Sequence, residues 1–169
     1  GFDVQKNHEQ VHAMTGYLPE QAPNYGDMTL AKYLEFMAGL KGLHHREARR
    51  EMERTTGLLN LRPERKRLVR NLSKGTRQRA AIAQALLGDP DVLLLDEPTV
   101  GLDPSQINEV RSLINSLAGR RTVLLSTHIL PEAELTCTRL MIIANGKIAA
   151  TGTPEELTSS EHRELLVTV

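Results

Sequence analysis

Val92-Leu93-Leu94-Leu95-Asp96-Glu97-Pro98-Thr99 sets four apolar residues in a row, then two adjacent carboxylates, and is stopped at once by proline. An unbroken apolar run of this length is the pattern of a strand buried on both faces. Thr122 to Ser126 is a second such run, and Ser105 to Leu117, between them, has helical spacing. Strand, helix and strand in this order imply a parallel sheet. In open α/β sheets ligands bind at the carboxyl ends of the strands, which is where Asp96 and Glu97 stand. Successive strand residues point to opposite sides, so the two carboxylates cannot share one task. Asp96 can hold the water shell of Mg2+, which prefers oxygen ligands, while Glu97 can orient or deprotonate an attacking water. Taken alone, such a pair is more often two solvated acids at a strand end.

Upstream, Met14 to Leu18 reads as a strand closed by Pro19 and followed by a turn-rich loop to Asp27. From Thr29 the spacing of Leu30, Tyr33, Leu34 and Met37 predicts an amphipathic helix ended by Gly39 and Gly42. A charged helix follows over His45 to Thr56, then a short basic segment broken by Pro63. Ser73 can cap a third helix, rich in alanine and stopped by Gly88-Asp89-Pro90. Downstream, Leu140 to Ala144 and Lys147 to Ala150 flank Asn145-Gly146, a strong hairpin signal, and a last short helix starts after Pro154.

The 169 residues have the length of one domain, and 40% hydrophobic content is enough for a core. Lys plus Arg equals Asp plus Glu at 21 each, so no global field draws the chain toward nucleic acid or an anionic membrane. Nine basic residues between Arg46 and Arg70 outnumber four acids there, but no aromatics are interleaved for base stacking. That segment reads as a solvated face, or one near lipid headgroups, and no nucleic-acid partner is expected. One cysteine, Cys137, excludes an internal disulfide framework. No apolar run reaches the roughly 18 to 20 residues that cross a bilayer. His44-His45 lacks companion ligands at metal-site spacing.

The strand end does not stand alone. Leu72-Ser73-Lys74-Gly75-Thr76 precedes it, and Gly101-Leu102-Asp103-Pro104, His128 and, far upstream, Gln21 complete an ordered set. With these six elements, over roughly residues 14 to 157, the chain resembles the ABC ATPase family. The resemblance makes Leu72 to Thr76 the signature motif, Val92 to Asp96 the Walker B strand, Glu97 the catalytic glutamate, Gly101 to Asp103 the D-loop, His128 the switch histidine and Gln21 the Q-loop glutamine. It implies Mg2+ with ATP, Asp96 and Gln21 near the metal through water, and Glu97 and His128 as catalytic. It also implies that Ser73, Lys74, Gly75 and Thr76 meet the ATP held by a second copy in a head-to-tail dimer. Lys74 and Thr76 replace the usual second glycine and the glutamine, leaving Ser73 and Gly75 in place. Free NH groups and the positive dipole at a helix start suit a phosphate. Without the resemblance, Ser73 and Asp103 read as helix caps, and His128 as a surface residue after a strand.

The implied fold is a partial P-loop NTPase, RecA-like, with a parallel sheet and a helical insert. One domain is expected over residues 1–169: core sheet in 14–27 and 91–157, helical signature subdomain in 28–90, and a tail in 158–169. A P-loop needs Gly, four residues, then Gly-Lys-Ser or Gly-Lys-Thr. The single Gly-Lys pair, Gly146-Lys147, is followed by Ile148. The expectation is therefore a chain truncated ahead of Gly1, inactive by itself, from the ATP-binding subunit of a membrane transporter. That parent would lie in the cytoplasm on the inner face of the cell membrane, with a transmembrane permease as partner. Gly16-Tyr-Leu-Pro-Glu and Leu72-Ser-Lys-Gly-Thr look similar to bacterial exporters of the ABC-2 and gliding-motility type. Alternatives are a soluble ABC ATPase acting on ribosomes or DNA, and an inert structural fragment.

Overall fold

The computed structural model describes residues 1–21 and 25–158, so all but the first residue of the expected tail 158–169 lies outside the described residues. The chain divides into two compact units, Gly1–Ser126 and Thr127–Val169.

In the first unit the order is α1 (His8–Met14), β1 (Thr15–Leu18), α2 (Leu30–Leu40), α3 (His45–Leu58), α4 (Lys74–Ala85), β2 (Val92–Asp96), α5 (Pro104–Ala118) and β3 (Thr122–Ser126). The three strands form one parallel sheet in the order β1-β2-β3, with β2 central. The expected parallel sheet, the helical insert and the cap of α4 are all present. Thr29 Oγ1 accepts from Lys32 N at 3.3 Å at the start of α2, and Ser73 Oγ accepts from Thr76 N at 3.1 Å at the start of α4. Helix α1 has no buried residue, which is why hydrophobic periodicity gave no sign of it.

The core lies between one face of the sheet and the helices. Leu18, Leu93 and Leu95 meet Leu30 and Leu34 of α2, Ile82 and Ala85 of α4, and Val110 and Ile114 of α5 in one buried cluster. Close approach of α4 to β1 requires Gly16, since a Cβ there would stand 2.1 Å from the Ala85 carbonyl oxygen. The expectation of strands buried on both faces is corrected: burial alternates along β2, and on β3 only Val123 and Leu125 pack against the core. On the other face Tyr17, Leu94 and Leu124 sit in register, with Tyr17 50% and Leu124 64% exposed. The helices cover one side only, so an apolar run here does not mean two covered faces.

Three cations fasten the end of α4. Lys41 Nζ donates to the carbonyls of Thr15 and Leu87, both at 3.0 Å, and burial lowers its pKa. Arg54 donates to Leu86 O at 2.7 Å and pairs with the buried Glu51, while Arg121 donates to Pro90 O at 3.1 Å and to Asp89 at 2.9 Å. The bonds to Leu86 O and Leu87 O satisfy carbonyls that the end of α4 leaves open, while those to Thr15 O and Pro90 O tie in β1 and the segment that follows α4. Much of the basic segment is matched in the same way: Arg62 and Arg65 by Glu53, Arg67 by Glu64 and Arg70 by Asp27.

The second unit contains α6 (Leu130–Thr136), an antiparallel hairpin of β4 (Leu140–Ala144) and β5 (Lys147–Gly152), and α7 (Pro154–Thr158). Asn145 and Gly146 take φ of 51° and 72°, the two left-handed positions that a two-residue hairpin turn demands.

Candidate functional site

Strand β2 delivers Asp96 and Glu97 to the carboxyl edge of the sheet between two parallel neighbours. Asp96 pairs in register with Ser126, whose Oγ donates to the Asp96 carboxylate. One residue on, Glu97 leaves the strand with φ of 46°, a left-handed conformation that is uncommon for a residue with a Cβ. Its N–H donates to Ser126 O at 3.1 Å and also points to Ser126 Oγ at 3.3 Å. A single serine thus orients the carboxylate of one acid and the backbone of the next. Both acids are half-buried and Pro98 behind them is fully buried. Strained backbone held by its surroundings is found where a side chain must be aimed.

Gln21 comes three residues after β1 ends, and since β1 runs parallel to β2 it leaves from the same edge, exposed. Among the described residues no group of three or more His, Cys, Asp and Glu could cage a metal. Mg2+ is held by one or two carboxylates together with water and phosphate oxygens, and Asp96 offers one carboxylate at the strand end. The donors at this edge are the Asp96 carboxylate, the Ser126 hydroxyl and the Gln21 amide, all hard oxygens.

The turn from Ser73 to Thr76 is built on the α4 cap. Ser73 Oγ lies 2.8 Å from Thr76 Oγ1 as well as capping Thr76 N, and Gly75 and Thr76 are buried. Asp103 caps α5 in the same fashion, accepting from Ser105 N and Gln106 N at 3.0 Å and from Ser105 Oγ at 2.7 Å. These bonds, the one from Gln106 N above all, hold its carboxyl below the usual range. Ser73 and Asp103 are thus both helix caps, as each reads without the family resemblance.

These two helix starts touch. A cleft of ≈ 160 Å³ between them is lined by Ser73, Gly75, Ser105 and Gln106, among others. A Cβ on Gly75 would meet the Gln106 amide at 2.7 Å, and a Cβ on Gly101 would meet Lys74 Nζ at 1.7 Å. Gln78 Nε2 donates to Pro98 O at 2.7 Å, so α4 also holds the residue that follows Glu97. Within the first unit, then, Gln21, Asp96 and Glu97 share one edge, and Ser73 to Thr76 abuts the loop leading to Asp103. His128 belongs to the second unit, where it is exposed and Thr127 Oγ1 accepts from Ile129 N at 3.1 Å.

Sequence reasoning gave no role to Ser126, Gln106 or Gln78. Their partners lie 20 to 31 positions away, and only strand register and helix packing bring them together.

Similarity to known proteins agrees with this geometry. Residues 28–133, more than half of the chain, match a family model described as "AAA domain, putative AbiEii toxin, Type IV TA system". The chain is 32% identical over 169 residues to the ABC transporter ced-7 of Caenorhabditis elegans, covering 10% of that protein. It is 36% identical over 166 residues, 97% of its length, to the ABC transporter ATP-binding protein NatA of Bacillus subtilis, of which it covers 68%. A solved ATP-binding subunit of an ABC transporter superposes with a TM-score of 0.78 at 31% identity, over 93% of this chain and 66% of that one. The chain thus spans from 6% to 68% of the length of such curated relatives. A shared P-loop NTPase fold, the strand-end carboxylates and this level of identity place the chain in the family of ABC transporter ATP-binding proteins.

Proposed function

We propose that the chain is part of the ATP-binding subunit of an ABC membrane transporter, which couples ATP hydrolysis to transport on the cytoplasmic side of a transmembrane permease. The observation that carries this reading is the Asp96–Glu97–Ser126 arrangement at the central strand's end. Asp96, oriented by the Ser126 hydroxyl, binds the metal side of the substrate through water, with Gln21 on the same edge. Glu97, turned by its left-handed backbone, takes a proton from the attacking water. When bound, Mg2+ neutralises charge on the phosphates. The turn from Ser73 through Lys74 and Gly75 to Thr76 meets the nucleotide of a second copy through Ser73 and the NH groups of the helix start, and the second copy's helix start would meet this chain's nucleotide in return. Asp103 lies at the same dimer contact, and His128 orients water or γ-phosphate in the closed state. ATP binding then closes two copies, hydrolysis reopens them, and the permease follows. The short-range likeness of the Gly16 and Leu72 motifs supports an exporter of the ABC-2 or gliding-motility type.

The test is Glu97→Gln in the natural full-length protein. The substitution keeps size and removes basicity, so turnover should fall ~100-fold or more while nucleotide binding persists. Turnover within a few-fold of wild type would remove Glu97 from this role.

A further inference from the structure

We propose that Lys74 is a positioning residue that fastens the signature turn to the loop between Glu97 and Asp103 of the same chain, coupling the nucleotide met in trans to the catalytic glutamate in cis. The inference rests on the ABC ATPase reading above and adds a link that the motifs themselves do not contain.

The link begins with a glycine. Gly101 has φ of 67°, and its missing Cβ leaves the space that Lys74 occupies: Nζ would stand 1.7 Å and Cε 2.9 Å from a Cβ built there. The lysine therefore lies along the loop backbone rather than extending away from the helix. It is the first residue of α4, next to Ser73 and Gly75, while Gly101 is four residues after Glu97 and two before Asp103. Two further contacts close the same seam from either side. Gln106 fills the space over Gly75, and Gln78 Nε2 donates to Pro98 O at 2.7 Å. Three side chains thus bridge residues 74–78 to 98–106. Both helix starts are also capped, Ser73 on Thr76 N and Asp103 on Ser105 and Gln106 N, so neither end yields by fraying.

A seam of this kind converts a local pull into a shift of a packed element, since packed contacts are not continuously deformable. A phosphate drawn onto Ser73 and Gly75 moves α4 and, through Lys74 and Gln78, the loop that begins at Pro98. That loop holds Glu97 at its left-handed turn. Lys74 is exposed, so its contact contributes little to folding and much to the relative placement of two motifs. The usual signature glycine at this position could make no such bridge.

The test is steady-state ATP hydrolysis by the natural full-length protein with its partner subunits, for wild type, Lys74→Ala, Gly101→Ala and the double variant. The expected result is a ~10-fold drop in kcat for each single variant, with KM for ATP within ~2-fold and weakened cooperativity in ATP. Gly101→Ala also strains a backbone at φ of 67° and should be the slower single, and the double variant should be no slower than it, because both changes break the same contact. Multiplicative effects overturn the inference. A ~10-fold rise in KM for Lys74→Ala with unchanged kcat does so too, since Lys74 would then hold phosphate directly. A fall in the thermal midpoint of Lys74→Ala large enough to unfold the protein at the assay temperature would reduce it to a folding contact. Absence of Glu97-dependent hydrolysis in wild type overturns the ATPase reading and the inference together; wild-type hydrolysis with multiplicative variants overturns the inference alone.

Discussion

Gln78 Nε2 donates to the carbonyl oxygen of Pro98 at 2.7 Å, tying α4 to the residue directly after Glu97, the proposed catalytic glutamate. Pro98 is fully buried and Gln78 half-buried, so the bond is sheltered from competing water. Gln78→Leu keeps the volume and removes the donor, leaving a buried carbonyl unmatched. Loss of a partner to a buried acceptor costs about 1–3 kcal/mol. Urea denaturation should show a fall of that order, and turnover should drop more than ATP affinity, because the loop leading away from Glu97 loses its anchor.

Ser126 serves two masters, donating to the Asp96 carboxylate and accepting the Glu97 backbone. Ser126→Ala removes the hydroxyl and leaves the backbone bond. Second partners of metal ligands are worth about 10–100-fold in affinity. The Mg2+ concentration giving half-maximal hydrolysis should rise by about that factor, and Ser126→Thr, which keeps the hydroxyl, should recover part of it. An unchanged Mg2+ dependence would place Asp96 away from the metal.

Ser126 also marks where sequence reading stops. The apolar runs at Val92 and Thr122, the cap at Ser73 and the turn at Asn145-Gly146 each carry a local signal, and each appears where its pattern puts it. Register is not local: Asp96 meets Ser126 because two parallel strands align, and nothing in either segment states the offset. The same holds for Lys74 over Gly101, where the telling absence of a Cβ is visible only once the neighbour is in place. Burial misled on β3, since the three-residue apolar run Val123 to Leu125 says nothing about which faces the helices cover. Helices α1 and α6 bury no residue and so leave no apolar stripe to read.

Tyr33 supplies a pH test of the helical layer. It is 3% exposed, and burial, with a smaller contribution from Tyr25 at 5.7 Å between ring centroids, pushes its pKa from 10.0 up to about 12. A raised folded pKa means that the folded state keeps a proton the unfolded state releases. Stability from this group is therefore full below pH 10 and is lost as pH rises through about 12, amounting to about 3 kcal/mol. Ultraviolet titration should show one of the three tyrosines ionising late. Tyr33→Phe should flatten the loss of stability between those pH values, and an equally steep loss in the variant would assign it to other groups.

ATP binding by these 169 residues alone is limited by where the chain's Gly-Lys pair lies. Gly146-Lys147 is the end of the β4–β5 turn, with Gly146 at φ of 72° and Lys147 opening β5, opposite Ala144. Its NH groups belong to a hairpin rather than to a loop entering a helix, so it offers neither a phosphate cradle nor a lysine aimed at one. Of the remaining phosphate-seeking groups, Ser73 and Gly75 face away toward a second copy in the proposed dimer, and Asp96 and Glu97 address metal and water. Charge-assisted bonds are worth about 1.5–3 kcal/mol each, and several would be lacking at once. Each 1.4 kcal/mol is tenfold in affinity, so Mg-ATP should bind to the 169-residue chain with a Kd weaker than ~1 mM. Calorimetry on the purified chain checks this directly. Micromolar binding would mean that this edge grips the triphosphate by contacts other than a phosphate loop, and the roles given to Ser73, Gly75 and Asp96 would have to be redrawn.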